Sequence, residues 1–413
     1  MTTIAPATSR RGYYYGWNIV AACVLSQVAG MGVTLNCYSL FLPGWSSEFS
    51  APISHLSLGM AIFAFGCAVF APLAGFMADK YPVRRLMAGG LVGIALLQIA
   101  VSFATASWQI VAIYAFLLPA GVSFSAAVPA QALVSRWFVR KRGLAMGVCA
   151  FGLALAGVIF PPIITALLPQ FGWRGVWWMY GALIGLVVAP VVYFTLRERP
   201  TAADGFDYVA EEIEAPEAVK LPLRTIFSRP NFWIVVAVFA AIGSTSSAVT
   251  VNLAPLVRER GFSLQMAGLL ISTGSIAAMA SKLLFGMLAD RLGNRIPLVL
   301  LAAVTALGSA LLGVAHNQAA LFCAAALIGV AGGVWTILAS ATAAEFGSRA
   351  FGRAYGVISG FTPIPPMIAP LVALAHERTG DYVMPMTTLA VMAAAGGGVA
   401  LLLNEKRHEP FKT

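Results

Sequence analysis

Apolar residues run along this chain in stretches of about 20, set apart by short polar clusters. A stretch of that length, wound as an α-helix, matches the hydrocarbon core of a bilayer. The pattern predicts helices near 16–42, 55–79, 84–104, 108–136, 142–168 and 174–196, then near 231–257, 263–290, 296–315, 318–346, 350–375 and 382–403. That is an all-α membrane protein with twelve spans. The longest polar stretch, 197–230, holds Asp204, Asp207, Glu211, Glu212, Glu214 and Glu217 and falls between the sixth and seventh spans. It divides the chain into a six-helix half at 1–196, a linker, and a second six-helix half at 231–413.

Composition agrees with the pattern. Of 413 residues, 59% are hydrophobic and 10% charged, against roughly 25% charged in an average soluble domain. A bilayer must solvate most of such a chain. The opening residues are polar and the first apolar run is too long for a signal-peptide core. Cys23, Cys37, Cys67, Cys149 and Cys323 all fall inside apolar runs without metal-ligand spacing, so they read as small packing residues.

The net charge of +10 is a topology signal. Lys80, Arg84 and Arg85, then Arg136, Arg140, Lys141 and Arg142, then Arg291, Arg295, Arg349 and Arg353 sit on one set of alternate loops, together with both termini. The opposite loops carry only Arg174, Arg258, Arg260 and Arg378. The positive-inside rule then puts both termini in the cytoplasm, and no nucleic-acid partner is implied. Compact loops and tails point to a bacterial inner membrane, and a monomer is expected.

Three segments recur at a nearly constant offset of half the chain. Gly75-Phe-Met-Ala-Asp79-Lys80 matches Gly286-Met-Leu-Ala-Asp290-Arg291, Val33-Thr-Leu-Asn36 matches Val249-Thr-Val-Asn252, and Gly143-x-x-x-Gly147 matches Gly352-x-x-x-Gly356. Their shared order indicates duplication, and parallel repeats of this kind describe transporters with a mid-membrane site between the halves.

Gly75-x-x-x-Asp79-Lys80-x-x-x-Arg84-Arg85 and its second copy, ending at Arg295, resemble the loop signature of the major facilitator superfamily, with Pro82 standing where a glycine is usual. The resemblance covers essentially the whole chain and implies alternating access by rocking of the halves. Asp79 and Asp290, at helix ends, would pair with basic groups such as Arg85, Arg140, Arg142 and Arg291 and favour a closed cytoplasmic side. Gly12-Tyr-Tyr-Tyr-Gly-Trp17 and Trp137-Phe-Val-Arg-Lys-Arg-Gly143 look like signatures of the monocarboxylate transporters and bacterial oxalate/formate exchangers. That branch implies a small organic carboxylate as substrate, moved with a proton or against a counter-anion.

Lys282 lies eight residues before Asp290, about 12 Å inside the helix end at 1.5 Å per residue. A lysine near mid-depth costs about 2.5–3.5 kcal/mol on insertion scales and is usually found facing a wet cavity. That depth is beyond what a snorkelling stem covers. In the resembling families this position carries an arginine that grips the substrate carboxylate; lysine keeps the charge but loses the bidentate fork. Ala278 stands where monocarboxylate transporters have a proton-carrying aspartate, and Leu35 and Asn36 stand where they carry a lysine. Proton coupling by a fixed carboxylate is therefore not supported. Either Lys282 itself titrates or the substrate anion neutralises it.

The resemblance makes the first, fourth, seventh and tenth spans the cavity walls. The polar candidates there are Asn36, Tyr38, Ser125, Asn252 and Trp335, joined by Tyr355 on the eleventh. Asn36 and Asn252 lead, because they occupy matched repeat positions and an amide can donate to a carboxylate. Small residues around Ser125–Ala127 imply a roomy pocket suited to a larger or aromatic acid. Efflux of hydrophobic or neutral compounds is the main rival reading. A sensor, a channel and an enzyme find no motif to support them, and no cofactor or metal is implied.

Overall fold

The computed structural model describes residues 14–138, 142–199 and 223–404, without the side chains of 79, 127, 142–143, 347–353 and 359. The first span is Gly16–Met31, a π-helical turn at Gly32–Asn36, and the first part of the helix Tyr38–Phe49, whose last turn, with Glu48, lies past the predicted span end at 42. The second is Ile53–Lys80 and the third Val83–Ser102. The fourth consists of Ser107–Ala112, a π turn at Ile113–Leu117, Leu118–Ser125 and Ala127–Trp137, and it breaks where Ala126 leaves helical geometry. The fifth starts at Arg142–Ala150 and continues into the long helix Gly152–Leu183, which turns at Gly172 with φ of 62°. Only glycine adopts that backbone conformation without steric cost. The sixth span follows the turn and ends with Ile184–Val188 and Ala189–Thr195.

In the second half, the seventh span is Pro230–Glu259, the eighth Leu264–Leu292 and the ninth Arg295–Val314. The tenth runs from Gln318–Val330 through a tight turn at Ala331–Gly333 into Val334–Ser359. That last helix carries straight through the predicted loop near 346–350 and forms the start of the eleventh span. The eleventh then breaks before Pro365–Met367 and finishes as Ile368–Thr379; prolines 363, 365 and 366 remove the backbone donors that a continuous helix needs. The twelfth is Val383–Ala400.

Ten helices among the described residues are long and apolar enough to cross a membrane. One of them, Leu144–Thr195, is 52 residues long, about 78 Å at helical rise and more than twice a bilayer core. It holds two spans, and the broken eleventh brings the total to twelve. Leu186 and Phe194 on the sixth span are each 78% exposed, as a lipid-facing surface requires.

The repeat read from the sequence has a structural counterpart. Asn36 on the first span donates through Nδ2 to Leu153 O on the fifth (3.4 Å), and Asn252 on the seventh donates to Ala369 O on the eleventh (3.1 Å). Each amide reaches a carbonyl 117 residues further along the chain, so the same strut occurs once in each half.

The halves are joined at one end of the molecule, the end remote from the linker. There one continuous core contains Trp45 and Trp177 of the first half with Val257 and Leu270 of the second. Ser272 on the eighth span donates to Val158 O on the fifth (3.0 Å), and Glu377 on the eleventh accepts from Ser54 N (2.9 Å) and Oγ (2.8 Å) on the second. At the linker end a separate core belongs to the second half alone, with Phe232, Phe239 and Phe346 at its centre. Among the described residues there, the ion pairs Arg136–Glu198 (3.7 Å) and Arg229–Glu345 (3.9 Å) each lie within one half. Arg142–Ala150 packs chiefly on the first and fourth spans, whereas its continuation beyond Gly152 packs on the eighth. The halves therefore part towards the linker end.

Candidate substrate site

The eighth span is 29 residues long, and Lys282 lies about 15 Å from its linker-end terminus and about 27 Å from the other. Lys282 is half-buried and makes no hydrogen bond or ion pair among the described residues. One turn away on the same face, Ala278 packs on the tenth span at Gly332, where a Cβ would stand 2.7 Å from it. Ala278 and Gly332 both line a cavity of about 150 Å³ between the first, seventh, eighth and tenth spans. Lys282 sits one turn to the linker side of that cavity and outside its lining. Because side chains on a helix lean towards its N-terminus, and this helix starts at the far end, the lysine leans towards the cavity.

Trp335 occupies the equivalent level on the tenth span, three residues past Gly332. It is 43% exposed and its ring meets Phe239 edge-on at 4.8 Å.

Asn36 lines the cavity from the π turn of the first span, a local distortion that often marks functional positions. The other predicted residues lie elsewhere. Asn252 is fully buried, and its Nδ2 donates to Ala248 O (2.9 Å) and Ala369 O (3.1 Å). Both its N–H groups are committed to backbone, so in this conformation it offers no donor to an anion. Tyr38 donates to Leu56 O (2.5 Å) and packs edge-on against Tyr114 at 4.8 Å, inside an aromatic core. Ser125 is fully buried and donates to Gly121 O (2.9 Å) in its own helix. Tyr355 packs against the linker-end core of the second half.

The expectation of a roomy pocket near Ser125–Ala127 is corrected. Ser125 and Ala126 are fully buried, and the small residues serve close packing of the third and fourth spans, where Gly90 approaches Ser125 N. The open volume lies instead against the second half.

The predicted gating groups fall at the linker end. Arg85, Asp290 and Arg291 are exposed, and none of the three makes an ion pair among the described residues. Such exposure is what a parted linker end produces. Arg140 and the side chains of Asp79 and Arg142 lie outside the described residues.

Sequence reasoning missed the polar contacts that close the far end. Glu377 sits between His376 and Arg378, a charge cluster that read as an ordinary loop. Glu48, whose partners lie within the first half and brace that end of it, was equally unremarkable in sequence. It receives Trp173 Nε1 at 2.5 Å and pairs with Arg174. Burial pushes the Glu48 carboxyl up, but these hydrogen bonds and the Arg174 charge outweigh it and hold it below the usual carboxylate range.

Comparison with known proteins places this architecture. The family model for the Major Facilitator Superfamily matches residues 22–267 and 239–413. Monocarboxylate transporter 13 of Bos taurus is 25% identical over 94% of this chain and 89% of its own. The agnestins efflux protein of Paecilomyces divaricatus is 26% identical over 93% of this chain and 84% of its own. Among solved structures, a bacterial homologue of the human lysosomal transporter Spinster, in an inward-facing and unoccupied conformation, superposes with a TM-score of 0.73 at 16% identity. It covers 94% of this chain and 95% of that one. The chain belongs to the Major Facilitator Superfamily, as a membrane transporter and not an enzyme.

Proposed function

We propose that this protein is a secondary transporter for a small organic anion, a carboxylate held by Lys282 while the halves rock about it. The observation that carries the reading is a half-buried lysine deep in an apolar helix, with no acidic partner among the described residues, leaning towards a cavity between the halves. A buried charge without a counter-charge is costly unless something neutralises it, and an anionic substrate would. At about 4 Å and an effective dielectric of about 20, the attraction is about 4 kcal/mol. Transport is by symport with a proton or by exchange with a counter-anion. Both termini lie in the cytoplasm, the membrane is a bacterial inner membrane, and the parted linker end is the inward-facing state.

Efflux of a hydrophobic or neutral compound is the second reading. The largely apolar cavity wall, with Val249, Leu253 and Ile328, and the efflux proteins among the relatives favour it. Uptake of labelled carboxylates into proteoliposomes, with and without an inward proton gradient, separates the two. Accumulation of an acid supports the first reading, and its gradient dependence separates symport from exchange. Failure of every anion to move, with transport of a neutral solute, supports the second.

A further inference from the structure

Four polar side chains line the cavity beyond Lys282: Asn36, Ser246, Thr250 and Ser275. Their hydrogen-bond commitments are unequal. Thr250 donates its hydroxyl proton to Ser246 O (2.8 Å), and Ser275 donates its own to Ile271 O (2.9 Å). Each hydroxyl is therefore turned back on its own helix and offers the cavity lone pairs alone. Asn36 commits one N–H of its Nδ2 to Leu153 O (3.4 Å), which leaves Oδ1 and the second N–H uncommitted. This oxygen and Ser275 Oγ converge over Gly157: a Cβ there would stand 2.9 Å from Asn36 Oδ1 and collide with Ser275 Oγ. The glycine keeps that space open. Ser246 is the one side chain of the four that makes no hydrogen bond among the described residues.

Ser275 Oγ, Thr250 Oγ1 and Asn36 Oδ1 face the cavity as acceptors, with Ser246 Oγ and the second Asn36 N–H as donors beside them, so a substrate group that both donates and accepts fits this set better than a second carboxylate, which only accepts. An ammonium group would supply donors, but Lys282 is a like charge nearby, which disfavours it. A neutral hydroxyl satisfies the cluster without that penalty. The remaining wall, including Val249, Leu270 and Ile328, is apolar and suits methylene groups. A cavity of about 150 Å³ holds about five water-sized units at about 30 Å³ each, the length of a short aliphatic chain. Two helical turns, about 10 Å of rise, separate Lys282 from Ser275. A lysine side chain and a short hydroxy acid, end to end, bridge such a span.

We propose that Asn36, Ser275 and Thr250 form a hydroxyl-recognition subsite, so that the protein selects short-chain organic anions bearing a hydroxyl away from the carboxylate. This rests on the reading of Lys282 as the carboxylate anchor. The test compares uptake of valerate and 5-hydroxyvalerate into proteoliposomes by wild type, Ser275→Ala and Lys282→Gln. Wild type is expected to take up the hydroxy acid about tenfold faster than valerate at equal low concentration, and Ser275→Ala to bring the ratio to within threefold of one. Equal uptake of the two acids by wild type, with both lost in Lys282→Gln, overturns the subsite and leaves the anion reading standing. A preference undiminished in Ser275→Ala also overturns it. If neither acid moves in wild type, or Lys282→Gln transports them normally, the anchor fails and the subsite falls with it.

Discussion

Glu377 on the eleventh span caps the start of the second span from across the interface, and its removal is a direct perturbation of the far-end closure. Its two carboxylate oxygens accept from Ser54 N at 2.9 Å and Ser54 Oγ at 2.8 Å, one residue into the helix Ile53–Lys80. Both contacts are hydrogen bonds to a charge, and the carboxylate faces the positive end of a helix dipole. Buried bonds of this kind contribute about 1.5–3 kcal/mol, but Glu377 is exposed, and solvent screening reduces the sum to about 1 kcal/mol. These bonds exist only while the far end is closed, so losing them shifts the equilibrium towards far-end opening by about fivefold. Glu377→Ala should therefore raise the far-end-open population by about that factor. Spin labels at the far ends of the second and eleventh spans, in a cysteine-free background, would report it as a shift in distance distribution. Ser54→Ala removes one of the two donors and should shift the population less. The double variant should shift it no further than Glu377→Ala alone. Unchanged distances in Glu377→Ala, or strictly additive effects of the two substitutions, would refute the latch.

Asn252→Ala should destabilise the detergent-solubilised protein by about 1–3 kcal/mol, read as a lowered melting temperature, because it removes two buried hydrogen bonds of about 0.5–1.5 kcal/mol each, to Ala248 O and Ala369 O. Asn36→Ala, at the half-buried equivalent with its longer 3.4 Å bond, should cost less. For Glu48 the folded carboxyl lies below its ordinary range, so its contribution to stability is present above the unfolded value of about 4.3 and disappears as pH falls through the folded value. Glu48→Gln should accordingly melt lower than wild type at pH 7, and the gap should close below about pH 4; an equal gap at both pH values contradicts the pairing with Arg174 and Trp173.

The twelve spans were legible because a bilayer imposes one demand, about 20 apolar residues per crossing, that no tertiary context overrides. The interruptions were less so. Prolines 363, 365 and 366 announced a break in the eleventh span, but nothing in Gly32–Asn36 marked a π turn, which depends on how the first span packs against the fifth. At the site, Lys282 stood out because a charge at that depth is rare, and the structure puts it beside a cavity. Asn36 and Asn252 show the limit of a repeat argument. Duplication preserved the same amide strut in each half, yet only Asn36 also borders open space, because the cavity lies asymmetrically against the second half. Ser275 is a small residue in sequence; its role as an acceptor follows from where its proton goes, which only coordinates reveal. Glu377 belonged to a charge cluster whose partner is far away in sequence, and hydrophobic patterning carries no information on such pairs.

The central claim is that the charge of Lys282 holds the substrate anion. Its most direct test is uptake of carboxylates into proteoliposomes by wild type, Lys282→Gln and Lys282→Arg. With about 1–4 kcal/mol of attraction at stake between watery and protein-like surroundings, Lys282→Gln should lower uptake at subsaturating substrate by about fivefold to several hundredfold. Lys282→Arg, which keeps the charge, should retain most of it. Normal transport by Lys282→Gln, or equal losses in the glutamine and arginine variants, would contradict the account.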